Sequence, residues 1–410
     1  MNVLEELVKE SERCISCGFC ESVCPTYRAS GYRAAMGARG GRVIIAREMV
    51  REKREKGSVS PGYANSFYSC LDCFACLQVC PAGVNAGRVS ELARAVLVEG
   101  GGRENRKRVG DMVVRLTMRY RNPIGADFSD EGEGDGDTLL YTGRMYQTMG
   151  YSKVLVELRK RLGEKATERN AGIVARMPFL IRLLRQRPDE EVDREMQASV
   201  ESIKFLLREA GVKFRFLGGS SEPYPGTFLY DLGYYGEFRT YANSVCDEFR
   251  KMGIRRIIVT DPHTYDLLLN AYPKFVDRFD FEVTYYLDLL SALEFEQDEE
   301  VVFHEPCHFV LHMDYRGGAH IALSKAARVK LPPRSGRNVF CCGGPDELLF
   351  PEMAEKVSEE RYRELSEAGN GRIITACPIC FSNLKKSERV VDISVFLKEK
   401  LKVRATVSGP

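Results

Sequence analysis

The sequence predicts a multidomain α+β protein: a helical N-terminal domain built around clustered cysteines, followed by two copies of one α/β unit. Three observations predict it. Cysteines bunch at ligand spacing in the first third, short β-rich runs alternate with helical segments from residue 139 onward, and those later segments resemble one another. A chain of 410 residues holds two or three domains. Its 44% hydrophobic and 29% charged residues are those of a globular protein. A net charge of +2 argues against a dedicated nucleic-acid binder. No apolar run approaches the ~18–20 residues of a membrane span, and the opening MNVLEELVKE is an acidic amphipathic segment rather than a signal peptide. The expectation is no nucleic-acid partner and no direct membrane insertion.

The N-terminal domain, residues 1–105, rests on two runs. RCISCGFCESVCP supplies Cys14, Cys17, Cys20 and Cys24; SCLDCFACLQVCP supplies Cys70, Cys73, Cys76 and Cys80. Each reads C-x2-C-x2-C-x3-C-P, in which three close thiolates wrap three corners of a [4Fe-4S] cube and the fourth ligates the other cluster. The first cluster is therefore expected on Cys14, Cys17, Cys20 and Cys80, the second on Cys70, Cys73, Cys76 and Cys24. Zinc is the plainer reading of clustered cysteines, but zinc rarely needs eight in a doubled run. The long gap between the runs carries helical patterns such as GGRVIIAREMVREKREKG. In this the domain resembles the helical ferredoxin domain of iron–sulfur subunits of respiratory reductases.

Residues 106–138 read as a linker. An arginine-rich stretch, RENRKRVGDMVVRLTMRYR, precedes DFSDEGEGDGD, which has almost nothing to bury. A solvated linker is expected, with docking to a partner subunit as the alternative.

The two α/β units are expected at 139–295 and 296–410. RIIVTDPHTYDLLLNAYP (256–273) aligns with RIITACPICFSNLKKS (372–387), FLGGSSEP (216–223) with VFCCGGPD (339–346), and LLYTGR (139–144) with VFHEPC (302–307). An insertion near 152–197 in the first copy reads as helices.

The second copy carries Cys307, the adjacent pair Cys341 and Cys342, then Cys377 and Cys380, in the pattern C-x33-CC-x34-C-x2-C. A zinc site, or an ordinary cube with one spare cysteine, would each account for some of these residues. The pattern resembles the C-x(31–39)-CC-x(35–36)-C-x2-C signature of the CCG-domain iron–sulfur oxidoreductases, departing by one residue in the second spacing. Together with the N-terminal runs, the resemblance covers nearly the whole chain. The domain order is that of the D-type subunit of heterodisulfide reductases. It recurs in the iron–sulfur subunits of glycolate, lactate and anaerobic glycerol-3-phosphate dehydrogenases. The resemblance implies an α-helical 2[4Fe-4S] ferredoxin domain followed by two pseudo-twofold-related α/β CCG repeats. It further implies two [4Fe-4S] cubanes and one non-cubane [4Fe-4S] cluster on Cys307, Cys341, Cys342, Cys377 and Cys380, with those cysteines catalytic.

In the first copy the chain departs from the two-site members of the family. Arg144, Ser220–Ser221, Asp261 and His263 stand where a second cysteine set would be. If the copies pack face to face, Arg144 is expected to fork onto an anionic group and His263 to donate a proton to a leaving thiolate; a decayed site closed by a salt bridge is the competing reading. His304 and His308 flank Cys307 and are expected to hydrogen-bond cluster sulfur or shuttle protons. His312 is unassigned, and Cys246 reads as a buried apolar residue.

No Gly-x-Gly-x-x-Gly follows a strand, so hydride carriers must act on another subunit. The family resemblance implies a subunit that passes electrons through two cubanes to a cluster reducing a disulfide-type substrate. The alternative is a relay for a flavin-dependent dehydrogenase or a quinone-linked complex. Partners implied are a flavoprotein or a membrane cytochrome b, and a disulfide or thiol substrate. The expected location is cytoplasmic, with membrane association only through a partner.

Overall fold

The computed structural model describes residues 2–100, 108–183, 187–315 and 317–402. The N-terminal domain is helical: α1 (Val3–Glu12), α2 (Ile45–Lys56) and α3 (Ala86–Gly100) surround the two cysteine runs. Helix α1 starts on an Asn2 side chain that accepts the Glu5 N–H, and it buries Val3 and Leu7. Helix α3 is buried almost all round, from Ala86 to Val98, which makes it the axis of the domain.

From Arg108 on, the arginine-rich stretch is not a solvated linker. Residues 103–107 lie outside the described residues, but Arg108–Tyr120 forms a 13-residue helix, α4, that buries Val109, Met112, Val113 and Leu116. These recur at i, i+3, i+4 and i+7, so the arginines occupy the other face. Residues 127–137 are loop as expected. Among the described residues their acidic groups do not pair with the basic stretch; they close onto the first α/β unit through Asp130–Arg144 and Glu133–Lys204.

That unit holds four parallel strands in the order β2 (Arg215–Phe216), β1 (Thr138–Tyr141), β3 (Arg256–Val259), β4 (Glu282–Tyr285). The second repeats the plan with β6 (Arg328–Lys330), β5 (Glu300–His304), β7 (Ile373–Thr375) and β8 (Val390–Asp392). Both inner strands are apolar and buried on both faces, as a parallel sheet covered by helices requires. The predicted insertion is helical: α5 (Met145–Leu162), α6 (Glu164–Arg176) and the start of α7 (Glu190–Glu209). Helix α6 packs on α4, which is how the linker region is covered.

The units meet through buried polar contacts. Tyr285 Oη donates to the Ala376 carbonyl at 3.2 Å, and Ser394 Oγ to the Ser199 carbonyl at 3.0 Å. Arg94 of α3 donates to the Asp231 carbonyl at 2.8 Å, and Arg28 pairs with Glu360 at 2.9 Å, so the N-terminal domain touches both copies. Among the described residues, no helix is long and apolar enough to cross a membrane.

Candidate metal centre

The two N-terminal runs fold alike. Each turns through two left-handed residues, Ser16 and Gly18 in the first, Asp72 and Phe74 in the second. These turns, followed by the short helices Phe19–Ser22 and Ala75–Gln78, point three thiols inward. One cavity is lined by Cys14, Cys17, Cys20 and Cys80; another is lined by Cys24, Cys70, Cys73 and Cys76. The fourth cysteine of each run thus stands with the other run's three. Arg42, fully buried, lines the second cavity and donates to Thr26 Oγ1 and Ser69 Oγ, holding a positive charge beside those thiols.

The five C-terminal cysteines are all buried. Cys307 and Cys377 follow the C-terminal ends of the adjacent strands β5 and β7, the edge at which parallel α/β sheets place their sites. The neighbouring thiols of Cys341 and Cys342 divide the work between them. Cys341 is within hydrogen-bonding reach of Cys307 and of Cys73. Cys342 faces Cys341 and Cys380, and those contacts, with His304, hold its thiol well below the ordinary range. Gly343, at φ +87°, reverses the chain after the pair, and its N–H donates to Cys341 Sγ at 3.4 Å. A Cβ on Gly344 would lie 2.2 Å from Ile379 Cγ2.

His304 belongs to this group. Its Nδ1 accepts from Arg361 Nε at 3.1 Å, which leaves Nε2 as the donor. One ligand atom each of His304, Cys342 and Cys380 lie within 4.8 Å of one another. His263 reaches in from the first copy, with Nδ1 3.8 Å from Cys377 Sγ. Burial and the neighbouring His308 push His263 well below its usual pKa. The His308 ring stacks at a tilt on His263, 3.9 Å between centroids, and on His312 at 4.0 Å. These rings open onto a 200 Å³ cavity also lined by Arg88, Asp266 and Lys274.

The other first-copy residues stand elsewhere. Arg144 is fully buried and takes both Asp130 oxygens at 2.8 Å, stacks on Phe128, and donates to the Glu222 carbonyl. It is not among the residues lining the cavity beside His263, so the reading of Arg144 as an open anion fork is corrected. The partner is Asp130, from the loop expected to bury nothing. Asp261 caps the helix Pro262–Asp266 by accepting the Thr264 N–H at 2.9 Å, in the position Cys377 takes at Pro378–Leu384. The alignment then sets Thr264 opposite Cys380. The Ser220 side chain lies outside the described residues. Cys246 is buried in the helix Tyr235–Lys251, among apolar residues.

Three participants escaped the sequence reading: Asp266, Asp72 and Arg361. Asp266 is the acidic member of an i, i+3 pair with His263 on one helical face, a spacing that could have flagged it. Asp72 acts through its backbone carbonyl and Arg361 from a distant helix, and neither leaves a local signal.

A model of the 4Fe-4S dicluster domain matches residues 10–84, and a model of the cysteine-rich CCG domain matches residues 301–385. The chain is 31% identical over 396 residues to an uncharacterized iron–sulfur protein of Methanocaldococcus jannaschii, an alignment covering 92% of this chain and 68% of that one. It is 23% identical over 443 residues to the D-type subunit of the dihydromethanophenazine:CoB–CoM heterodisulfide reductase of Methanosarcina barkeri, covering 100% and 96% of the two chains. It is also 23% identical over 437 residues to the "Probable glycolate oxidase iron-sulfur subunit" of Bacillus subtilis, covering 94% and 91%.

Proposed function

This chain belongs to the iron–sulfur oxidoreductases that join a 4Fe-4S dicluster domain to a CCG domain, and on that premise we propose that it is the electron-transferring and substrate-reducing subunit of a heterodisulfide-reductase-like complex. The donor sets fit the clusters the family implies. Each N-terminal cavity offers four thiols, and the C-terminal group offers five with His304 beside them. Clusters held there would supply single-electron transfer in the N-terminal domain and, on Cys307, Cys341, Cys342, Cys377 and Cys380, an iron able to meet a substrate sulfur.

The observation that carries the reading is the packing of the dicluster domain's short helix Ala75–Gln78 on the turn Gly336–Asn338, which brings the Cys73 and Cys341 thiols into electrostatic reach of each other. A thiol of the dicluster domain thus faces the adjacent pair, which suits the second and third ligand sets to exchange electrons. Reduction of a disulfide consumes two electrons and two protons, breaks the S–S bond and leaves two thiols. His263 lines the 200 Å³ cavity and lies 3.8 Å from Cys377, which suits its neutral imidazole to pass those protons from the cavity toward the site. At the far end, exposed Ile15 lines the first cavity and exposed Phe19 follows its Gly18, beside exposed Cys17, an apolar surface suited to an electron-donating flavoprotein or membrane cytochrome b.

The test is EPR of the oxidised holoprotein after addition of a mixed disulfide. A new paramagnetic signal that Cys341→Ser removes is the expected result. Silence, with the protein still reducible by its donor, favours a relay beside a flavin-dependent 2-hydroxy acid dehydrogenase. The full-length likeness to a glycolate oxidase subunit supports that second reading.

A further inference from the structure

We propose that Asp266, His308 and His312 form a second, sulfur-free metal site that takes one divalent transition ion of the zinc or ferrous-iron class. The two histidines end a π-helical turn, His308–His312, and their i, i+4 spacing carries both rings to one side of it. Each turns its Nδ1 to the same carboxylate oxygen, Asp266 Oδ2, at 2.9 and 2.8 Å. The three candidate ligand atoms lie within 4.8 Å of one another. Two imidazoles and one carboxylate are a donor set of catalytic zinc and of non-haem iron(II), with positions left open.

A second observation stands apart from that convergence. His312 is gripped from behind: its Nε2 donates to the Asp72 carbonyl at 2.7 Å, and its ring stacks on Phe74 with centroids 3.6 Å apart and planes 6° apart. A metal-binding histidine is ordinarily fixed this way, its far N–H on a backbone carbonyl, which sets the tautomer and frees the near nitrogen for the ion. Phe74 presents its ring from the left-handed region at φ 59°, where a bulky side chain is a genuine outlier. The three ligands border the 200 Å³ cavity lined also by Arg88 and Lys274. The open position would there take water or an anionic group neutralised by those cations. None of this depends on what the five-cysteine site reduces.

The test uses holoprotein purified without oxygen, freed of loosely held metal, titrated with zinc sulfate and passed through gel filtration. Elemental analysis is expected to find one zinc retained per chain, and zinc-edge X-ray absorption a shell of nitrogen and oxygen that includes imidazole. Asp266→Asn and His312→Gln should each lose that zinc while iron and sulfide stay constant. Phe74→Leu, which removes the stacking support, should weaken it by about 10–100-fold. No retained zinc, a shell containing sulfur, or zinc kept by both ligand variants would each overturn the proposal. The wild-type absorption spectrum decides it even if a variant fails to fold.

Discussion

Around Cys341 and Cys342 the geometry depends on two glycines. Gly343 sits at φ +87°, where a Cβ would also meet the Ala354 carbonyl at 2.6 Å. Gly343→Ala should cost about 1–2 kcal/mol from backbone handedness alone, before the clash is counted, and should lower iron retained at the C-terminal site; denaturation and iron analysis check both. Cys341→Ser should lose the C-terminal iron while the low-temperature EPR of the N-terminal pair persists. The cysteines themselves were legible because ligand spacing is local and thiols have few other reasons to cluster. Asp266 was not, since its partners His308 and His312 lie 42 and 46 positions away. At Arg144 the salt-bridge reading fits and the anion-fork reading does not, but the partner was not legible, because nothing in DFSDEGEGDGD marks Asp130 as the acid that would take a buried guanidinium.

The strand pattern and the repeat were readable because parallel strands buried on both faces are short apolar runs, and two copies of one plan reinforce each other. Helix α4 was lost to its arginines: composition outweighed a sound i, i+3, i+4, i+7 pattern. The π-helical turn at His308–His312 has no sequence signature, yet it decides where both rings point. One cap carries a pH dependence. Asp392, between β8 and the helix Ile393–Lys400, accepts the Ser394 N–H at 2.8 Å, and burial pushes its carboxyl from 3.8 up to about 6. A raised carboxyl means that the folded state binds its proton more tightly. The associated stability is complete below pH 3.8 and disappears as pH rises through about 6. Asp392→Asn keeps an acceptor for the cap and removes that loss. Its urea midpoint relative to wild type should therefore improve between about pH 5 and about pH 8.

Across the whole molecule the ligand sets adjoin in order: the exposed Ile15 and Phe19, the first cavity, the second, which shares Ala86 with it, then Cys73 facing Cys341. Phe19→Asp should slow reduction by the donor several-fold with cluster content unchanged, measured by stopped-flow bleaching of the iron–sulfur absorbance. The order of domains was legible from the motifs, but their contact was not, because it joins residues hundreds of positions apart through single thiols and carbonyls.

That contact also constrains how the protein is made. Cys341 and Cys342 are 1% and 2% exposed, roofed by Cys73 from one domain, while His263 of the first copy closes on Cys377. Burial this deep makes the same demand on a substrate as on a carrier of iron and sulfide: each must enter beside these residues or before they close. Filling the five-cysteine site before the dicluster domain docks is the order of assembly that this burial favours.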